Sequence, residues 1–282
     1  MSNLSRRQFT SLLAAQAAVA QGSPLTARSV VERIQAKIGV PWNAGSYRDT
    51  FKCGNPDTPV KGISSSFMAT LDVIQRSHAA GLNFVITHEP TFWSDRDTTD
   101  TLTDDPLYKF KVDFVEKNHM IVWRMHDHVH AKKPDKIFVG WNKALGWDRY
   151  QTHDDSQLYI LPATTMGAVA KHLAARLQSR SIRLVGDPQL RVTKAALGSH
   201  SLDQNIPKLR EADIIVVFEA RERETAEYVR DAVASGEKKG LVLIAHEAGE
   251  EAGMDEFASW LKTIVTEVPI EFLPAKDNFW LA

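Results

Sequence analysis

Cysteine is nearly absent from this chain: one thiol, Cys53, stands among 282 residues. A lone cysteine closes no intramolecular disulfide and cannot supply the thiolates of a structural zinc or iron–sulfur site, so it reads as a small packed hydrophobe. A surplus of either charge is lacking too. Lysine and arginine total 34 against 35 acids, which leaves no overall basic field for nucleic acid and no acidic tail. Any charged partner must be held locally. The chain has no Gly-rich phosphate loop, and Ser64-Ser65-Ser66 lacks the Gly-x-Ser-x-Gly elbow, which argues against P-loop and serine-hydrolase chemistry. There is no fixed-period repeat, no low-complexity linker and no apolar run long enough for a stable membrane span. What remains, 43% hydrophobic and 24% charged, is the composition of a globular protein with a full core.

The beginning of the chain reads as a separate unit. Ser5-Arg6-Arg7-Gln8-Phe9 precedes a short Ala/Leu-rich stretch, interrupted by Gln16, that ends in Ala18-Val19-Ala20. Paired arginines, a short apolar segment and a small-residue cleavage pattern predict a twin-arginine export signal over 1–22, and hence a periplasmic or exported protein, cytoplasmic if the signal does not act. Such export moves proteins already folded, which suits a protein loaded with metal before it leaves the cytoplasm. The remainder, 23–282, divides only weakly into halves of about 23–145 and 146–282.

Along that remainder, strands and helices alternate. Helical spacing of Val30, Val31, Ile34 and Ile38 predicts a helix over 26–38 stopped by Gly39, and helices are expected over 67–80, 105–118, 166–177, 222–235 and 254–265. Short Val/Ile/Leu-rich runs predict strands at 60–63, 82–87, 120–125, 157–161, 192–197, 213–218, 241–245 and 270–273, with a linker containing Gly140 and Gly146 between the halves. This alternation is the pattern of an α/β fold with a largely parallel sheet.

Three apolar runs end in histidine and acid: Val85-Ile86-Thr87-His88-Glu89-Pro90, Val122-Trp123-Arg124-Met125-His126-Asp127-His128-Val129-His130, and Leu243-Ile244-Ala245-His246-Glu247-Ala248-Gly249-Glu250. Ligands of open α/β sheets gather at the carboxyl ends of strands, so three such ends can converge on one crevice. Histidine and carboxylate without thiolate suit a catalytic divalent ion such as zinc, manganese or iron. His246 and Glu250, four apart, share one face if a helix starts there. If the second strand stays extended, His126, His128 and His130 share a face and Asp127 points the other way. His200, after Gly198-Ser199, lines a loop within reach of a substrate, whereas His78, His119, His153 and His172 read as ordinary surface or packed residues. Arg124, Lys132 and Lys133 flank the histidine cluster as solvated charges or as ligands of a phosphate or carboxylate.

The order and spacing of these motifs, beginning with the block from Gly62 to Trp93 and running through His126 to His130, Ala212-Asp213-Ile214-Ile215 and His246 to Glu250, resemble the dinuclear metal centre proteins labelled GTP cyclohydrolase 1 type 2, also called NGG-interacting-factor-three-like proteins. In that family two adjacent histidines end the first motif, a histidine and an aspartate four apart form the second, and a histidine and a glutamate four apart form the third. His88, His126, His246 and Glu250 match, whereas Glu89 stands in place of the second histidine and His130 in place of the aspartate. The two departures read as an exchange, Glu89 supplying the carboxylate and restoring a bridge, His130 the imidazole.

The resemblance implies two intertwined α/β lobes with mixed, largely parallel sheets, a metal site in the cleft between them, and a ring-like homohexamer. It also implies two divalent ions per chain, zinc, manganese or iron, held by His88, Glu89, His126, His130, His246 and Glu250, with Asp127 or His128 as proton carrier or supporting group. Two ions about 3.5–4 Å apart lower the pKa of a shared water toward about 7, so the expected function is metal-dependent hydrolysis of a small molecule, not of nucleic acid. The label suggests purine-nucleotide ring opening, which a periplasmic location disfavours. A non-catalytic metal-binding oligomeric scaffold is the rival reading. A mononuclear amidohydrolase barrel, suggested by His126-Asp127-His128, needs that motif near its first strand and more β-α units than this chain offers.

Overall fold

The computed structural model describes residues 24–153 and 156–279; the twin-arginine segment lies outside them. The first half contains α1 (Ala27–Lys37), β1 (Phe51–Cys53), β2 (Ile63–Met68), α2 (Leu71–Ala79), β3 (Phe84–Glu89), α3 (Pro106–Lys117), β4 (Ile121–Arg124), the short α4 (Asp127–Ala131) and α5 (Lys136–Leu145). The second contains β5 (Leu158–Thr165), α6 (Met166–Leu177), β6 (Arg183–Val185), β7 (Arg191–Leu197), α7 (Leu202–Glu211), β8 (Ile214–Phe218), a π turn over Glu222–Ala226 continuing into α8 (Glu227–Ala234), β9 (Gly240–Ile244), α9 (His246–Leu261) and β10 (Ile270–Phe272).

These elements form two five-stranded sheets, ordered β1-β4-β3-β2-β10 and β5-β7-β8-β9-β6. β10, β2, β3 and β4 run parallel, as do β7, β8 and β9, while the edge strands β1, β5 and β6 are antiparallel to their neighbours. The continuous apolar runs follow from this placement. β3, β8 and β9 are buried along their whole length because helices cover both faces of a parallel sheet, whereas the edge strand β5 alternates buried and exposed positions over its first half.

The last strand crosses back to the first sheet, pairing Ile270 with Ile63. Met254, Phe257 and Leu261 of α9 consequently share one core with Ile34, Ile63, Phe84 and Trp123, so the two lobes are intertwined by covalent connection as well as by packing. Among the described residues no helix is long and apolar enough to cross a membrane.

Helix α7 (Leu202–Glu211) and the short α4 were not expected from the sequence, and α2 starts at Leu71, later than expected, because β2 runs on to Met68; in two further helices that differ, glycine is the reason. The expected linker at 136–145 is helix α5: Gly140 lies against the Ala252 carbonyl of α9 with no room for a side chain, and Gly146 is a left-handed C-cap at φ 67°. Helix α9 begins eight residues before the predicted 254, since Gly249 sits under the Phe218 ring and Gly253 against Ile137. These glycines are close-approach positions, not breakers.

Gly253→Ala tests this. Alanine favours a helix interior over glycine by about 1 kcal/mol, but a Cβ here would lie 2.5 Å from the Ile137 Cα, backbone that cannot turn aside. Overpacking of about 1–3 kcal/mol is expected to win, lowering the urea midpoint. A midpoint equal to or above that of the parent protein would contradict the close packing of α5 on α9.

Candidate metal centre

The three histidine-bearing ends do meet. β3 stops at Glu89 because Pro90 follows, leaving His88 and Glu89 at its carboxyl end. β4 stops at Arg124, and the chain turns into α4 because Asp49, buried on the loop before β1, accepts the backbone N–H groups of His126, Asp127 and His128. Free N–H groups at a helix start need acceptors, and Asp49 supplies them for three from outside the helix. Helical geometry then places His130 one turn above His126. From the other sheet, β9 ends at Ile244 and α9 presents His246 in its first turn and Glu250 in its second.

The six side chains point their donor atoms at one another. His88 Nε2 lies 3.2 Å from His130 Nε2 and 3.2 Å from Glu250 Oε2. His246 Nε2 is 3.1 Å from Glu250 Oε2 and 4.0 Å from Glu89 Oε1, which is 3.4 Å from His126 Nε2. The His88 and His126 rings are stacked, with centroids 4.6 Å apart.

Each imidazole is held from behind through its other nitrogen. Nδ1 of His88 donates to the Met125 carbonyl at 2.9 Å, that of His126 to Asp127 at 3.0 Å, that of His130 to Asp135 at 2.8 Å and that of His246 to Glu219 at 2.8 Å. A donor at Nδ1 fixes the tautomer that leaves an Nε2 lone pair facing inward, the arrangement around metal-bound histidine.

Electrostatics agree with this geometry. Burial pushes the Glu89 carboxyl up, yet the His126 contact and the nearby charge of His88 and His246 hold it at about 2. Burial likewise opposes ionisation of Glu250, but the charge of His246 keeps it well below the usual carboxylate range. Burial lowers His246, and the Glu250 charge with the Glu219 hydrogen bond more than reverses this, raising it well above an ordinary imidazole. In His130 the Asp135 hydrogen bond likewise overcomes burial and raises the pKa; in His88 burial, helped by the charge of His126, wins and lowers it. Two ionised carboxylates thus draw positive charge into a buried space. Glu250 Oε2 and His246 Nε2 are both buried, and they approach only each other and the other residues of the cluster, with no well-directed hydrogen bond from outside it. Donor set, orientation and these buried atoms all fit a divalent cation, and His88–His126–His130 and His88–Glu89–Glu250 are groups compact enough to hold one.

Other residues have different placements from those expected. The chain does not stay extended past Arg124, so His126 and His130 face the centre from one side of α4 while His128 turns away. His128 is stacked on Trp42 at 3.6 Å, hydrogen-bonds Asp49 through Nδ1 and accepts the Asn43 N–H through Nε2 at 2.7 Å. Both its nitrogens are engaged away from the centre. Asp127 touches it only through His126, and also pairs with Ser46 and Arg48. Arg124 is not solvated: it is fully buried, donating to Glu89 Oε2 at 3.0 Å, to the His88 carbonyl at 2.9 Å and to the Asp95 carbonyl at 2.6 Å. Glu89 therefore offers the centre one oxygen. His200 stands beside His246, ring centroids 4.6 Å apart, and Cys53 is a packed thiol that burial pushes up to about 11. Asp49, Asp135 and Glu219 escaped the sequence reading; only Asp135 carried a local signal, as an acid directly before the start of α5.

Two mixed α/β sheets with a histidine–carboxylate cluster between their strand ends define an α/β protein with a candidate metal centre. Within that class the chain belongs to the family Duf34/NIF3 (NGG1p interacting factor 3), whose model matches residues 50–278. No curated protein matches it in sequence. Solved structures share the fold at low identity. A hypothetical protein from Staphylococcus aureus has a TM-score of 0.71 at 14% identity, covering 92% of this chain and 100% of its own. A Bacillus cereus protein related to NIF3 has 0.71 at 13%, covering 93% and 100%, and a protein from Thermus thermophilus 0.64 at 17%, covering 90% and 100%.

Asp49→Ala should show how far the centre depends on the loop before β1. It strips an acceptor from three backbone N–H groups and from His128, so a loss of about 1–3 kcal/mol in unfolding free energy is expected, against under about 0.5 kcal/mol for an exposed control such as Asp104→Ala. Equal stability of the two variants would show that Asp49 does not organise α4.

Proposed function

We propose that His88, Glu89, His126, His130, His246 and Glu250 hold two divalent cations, zinc, manganese or iron, and that the protein is a metal-dependent hydrolase of a small molecule. The observation that carries this reading is the inward convergence of four Nε2 atoms, each fixed by a hydrogen bond at Nδ1, on two buried carboxylates. Cations bound there would supply Lewis acidity and a water with its pKa lowered toward about 7.

The chain's own residues have separable roles. Glu250 Oε2, 3.2 Å from His88 and 3.1 Å from His246, lies between the imidazoles of the two sheets and is the candidate shared ligand. Glu89 contributes Oε1 alone, with Arg124 neutralising and orienting its other oxygen. Asp127, Asp135 and Glu219 orient His126, His130 and His246 and raise their basicity. Asp127 is partly exposed and Glu219 exposed; both lie next to the cluster, where they can accept a proton relayed through an imidazole. His128 serves α4 and the Trp42 packing. The hexamer and the periplasmic location suggested by the sequence belong to the same proposal; sedimentation velocity and fractionation of the full chain test them.

Elemental analysis of the purified protein is the first experiment. About two ions per chain are expected in the parent, at most one in Glu250→Ala and in His88→Ala, and the parental content in His128→Ala if it is folded. A parent protein that takes up no divalent metal from a titrated series ends the metal reading. Turnover of none of a panel of esters, amides and phosphoesters by the loaded protein would favour the scaffold over the hydrolase.

A further inference from the structure

One cavity opens directly onto the cluster. It has a volume of about 540 Å³, and His246 and Glu219 are part of its lining. Its walls come from the carboxyl ends of strands in both sheets and from the closing segment: Phe67, Met68, Ala220, Leu243, Ile244 and, at the mouth, the exposed Phe279. The size is that of small-molecule sites, and the position is where an open α/β sheet binds ligands.

The polar side chains along this wall are mostly spent on the protein itself. Thr70 caps α2 by accepting the Val73 N–H, and Ser181 donates to Asp277. Arg183 is paired with Glu222 at 2.5 Å, and Glu219 with His246. What the cavity offers an incoming molecule is therefore mostly apolar surface, with three polar exceptions: the buried Glu247, one of whose oxygens has no hydrogen-bond partner and can accept an N–H or O–H from a ligand, Asn278, and the exposed Lys276, the one cation, among the described residues of its lining, whose side chain is not committed to an acid. A nucleoside polyphosphate needs several arginines, lysines or backbone N–H groups aimed at its charges. An aromatic or branched aliphatic group needs only such a wall, with ring edges like that of Phe67 to pack on.

We infer that this cavity binds the non-reacting, apolar part of the substrate, so that the substrate class is a small uncharged or singly charged molecule carrying an aryl or branched alkyl group, and not a nucleotide. The inference rests on the hydrolase reading for the word substrate; the apolar binding site itself does not depend on metal. Bound there, the ligand leaves its polar end at His246, beside the cluster. Lys276 accommodates one negative charge at the opposite end.

Ligand-observed NMR titration tests this, with phenylacetamide and GMP as probes of matching interest and opposite character, on the full chain in metal-loaded and metal-stripped form. Phenylacetamide is expected to bind both forms, and GMP at least about tenfold more weakly. Met68→Trp and Ala220→Phe, which fill the cavity from opposite sheets, should each weaken phenylacetamide by at least about tenfold while metal content and unfolding midpoint stay parental. Tighter binding of GMP than of phenylacetamide, or phenylacetamide binding unchanged in both folded variants, overturns the inference. Loss of metal binding in the parent protein with cavity binding intact would instead count against the hydrolase reading alone.

Discussion

Two carboxylates, Glu89 and Glu250, are buried at the junction of the two sheets, and the rest of the site follows from the need to compensate them. An ionised carboxylate removed from water without partners is costly enough that it would ordinarily take up a proton. Here four imidazoles and one guanidinium surround the pair, and both stay ionised. On the protein side, Arg124 takes the outer oxygen of Glu89, and a carbonyl or carboxylate stands behind every histidine. Toward the centre, Glu250 Oε2 and His246 Nε2 approach only residues of the cluster itself. That pattern, satisfied at the periphery and open in the middle, is what supports the proposed cation site.

That arrangement demands a fold in which strand ends from distant parts of the chain are held to within a few ångströms. The sheets alone do not ensure it, since they share no hydrogen-bonded strand. Helix α9 does. It carries His246 and Glu250 from the second sheet, packs on α5 through Gly140 and Gly253, buries Met254, Phe257 and Leu261 in the core of the first sheet, and leads to β10, which completes that sheet. A one-methyl expansion between α5 and α9 would push the two halves of the cluster apart, so glycines that cost helix stability locally are retained by packing.

The sequence made the central strands and the histidine-bearing ends legible because both depend on local pattern. Runs such as 214–218 and 240–244 are buried on two faces and show it in composition, and the helix over 166–177 has the expected periodicity, whereas the helix over 106–117 forms where expected but buries Lys111 and Val115 and leaves Leu107 and Phe110 exposed. What stayed hidden depends on tertiary context. α5 looked like a linker because Gly140 reads as a breaker until α9 is known to lie against it. His128 looked like the equal of His126 and His130 because a period of two was assumed where Asp49, 77 residues upstream of His126, imposes a helix. Arg124 looked solvated because nothing in its neighbourhood along the chain announces a buried carboxylate beside it.

The exchange between Glu89 and His130 can now be argued physically. Relative to the family pattern the counts are unchanged, four imidazoles and two carboxylates, but one carboxylate has moved from the second turn of α4 to the end of β3. At the end of β3 it meets Arg124, fully buried on the neighbouring strand, which takes one of its oxygens. A histidine in that position would cost the guanidinium its nearest carboxylate and leave it only the longer carboxylate contacts to Asp95 at 3.5 Å and Asp97 at 3.7 Å. At 130 the reverse holds: Asp135 stands behind the ring, and an aspartate there would bring a third carboxylate against it, whereas His130 donates to it at 2.8 Å. Each substituted ligand thus has a partner of opposite character outside the cluster. On the proposed metal reading, the pairs Glu89–Arg124 and His130–Asp135 would keep the donor count while changing its layout, at the cost of a bridge, because Glu89 turns a single oxygen to the centre.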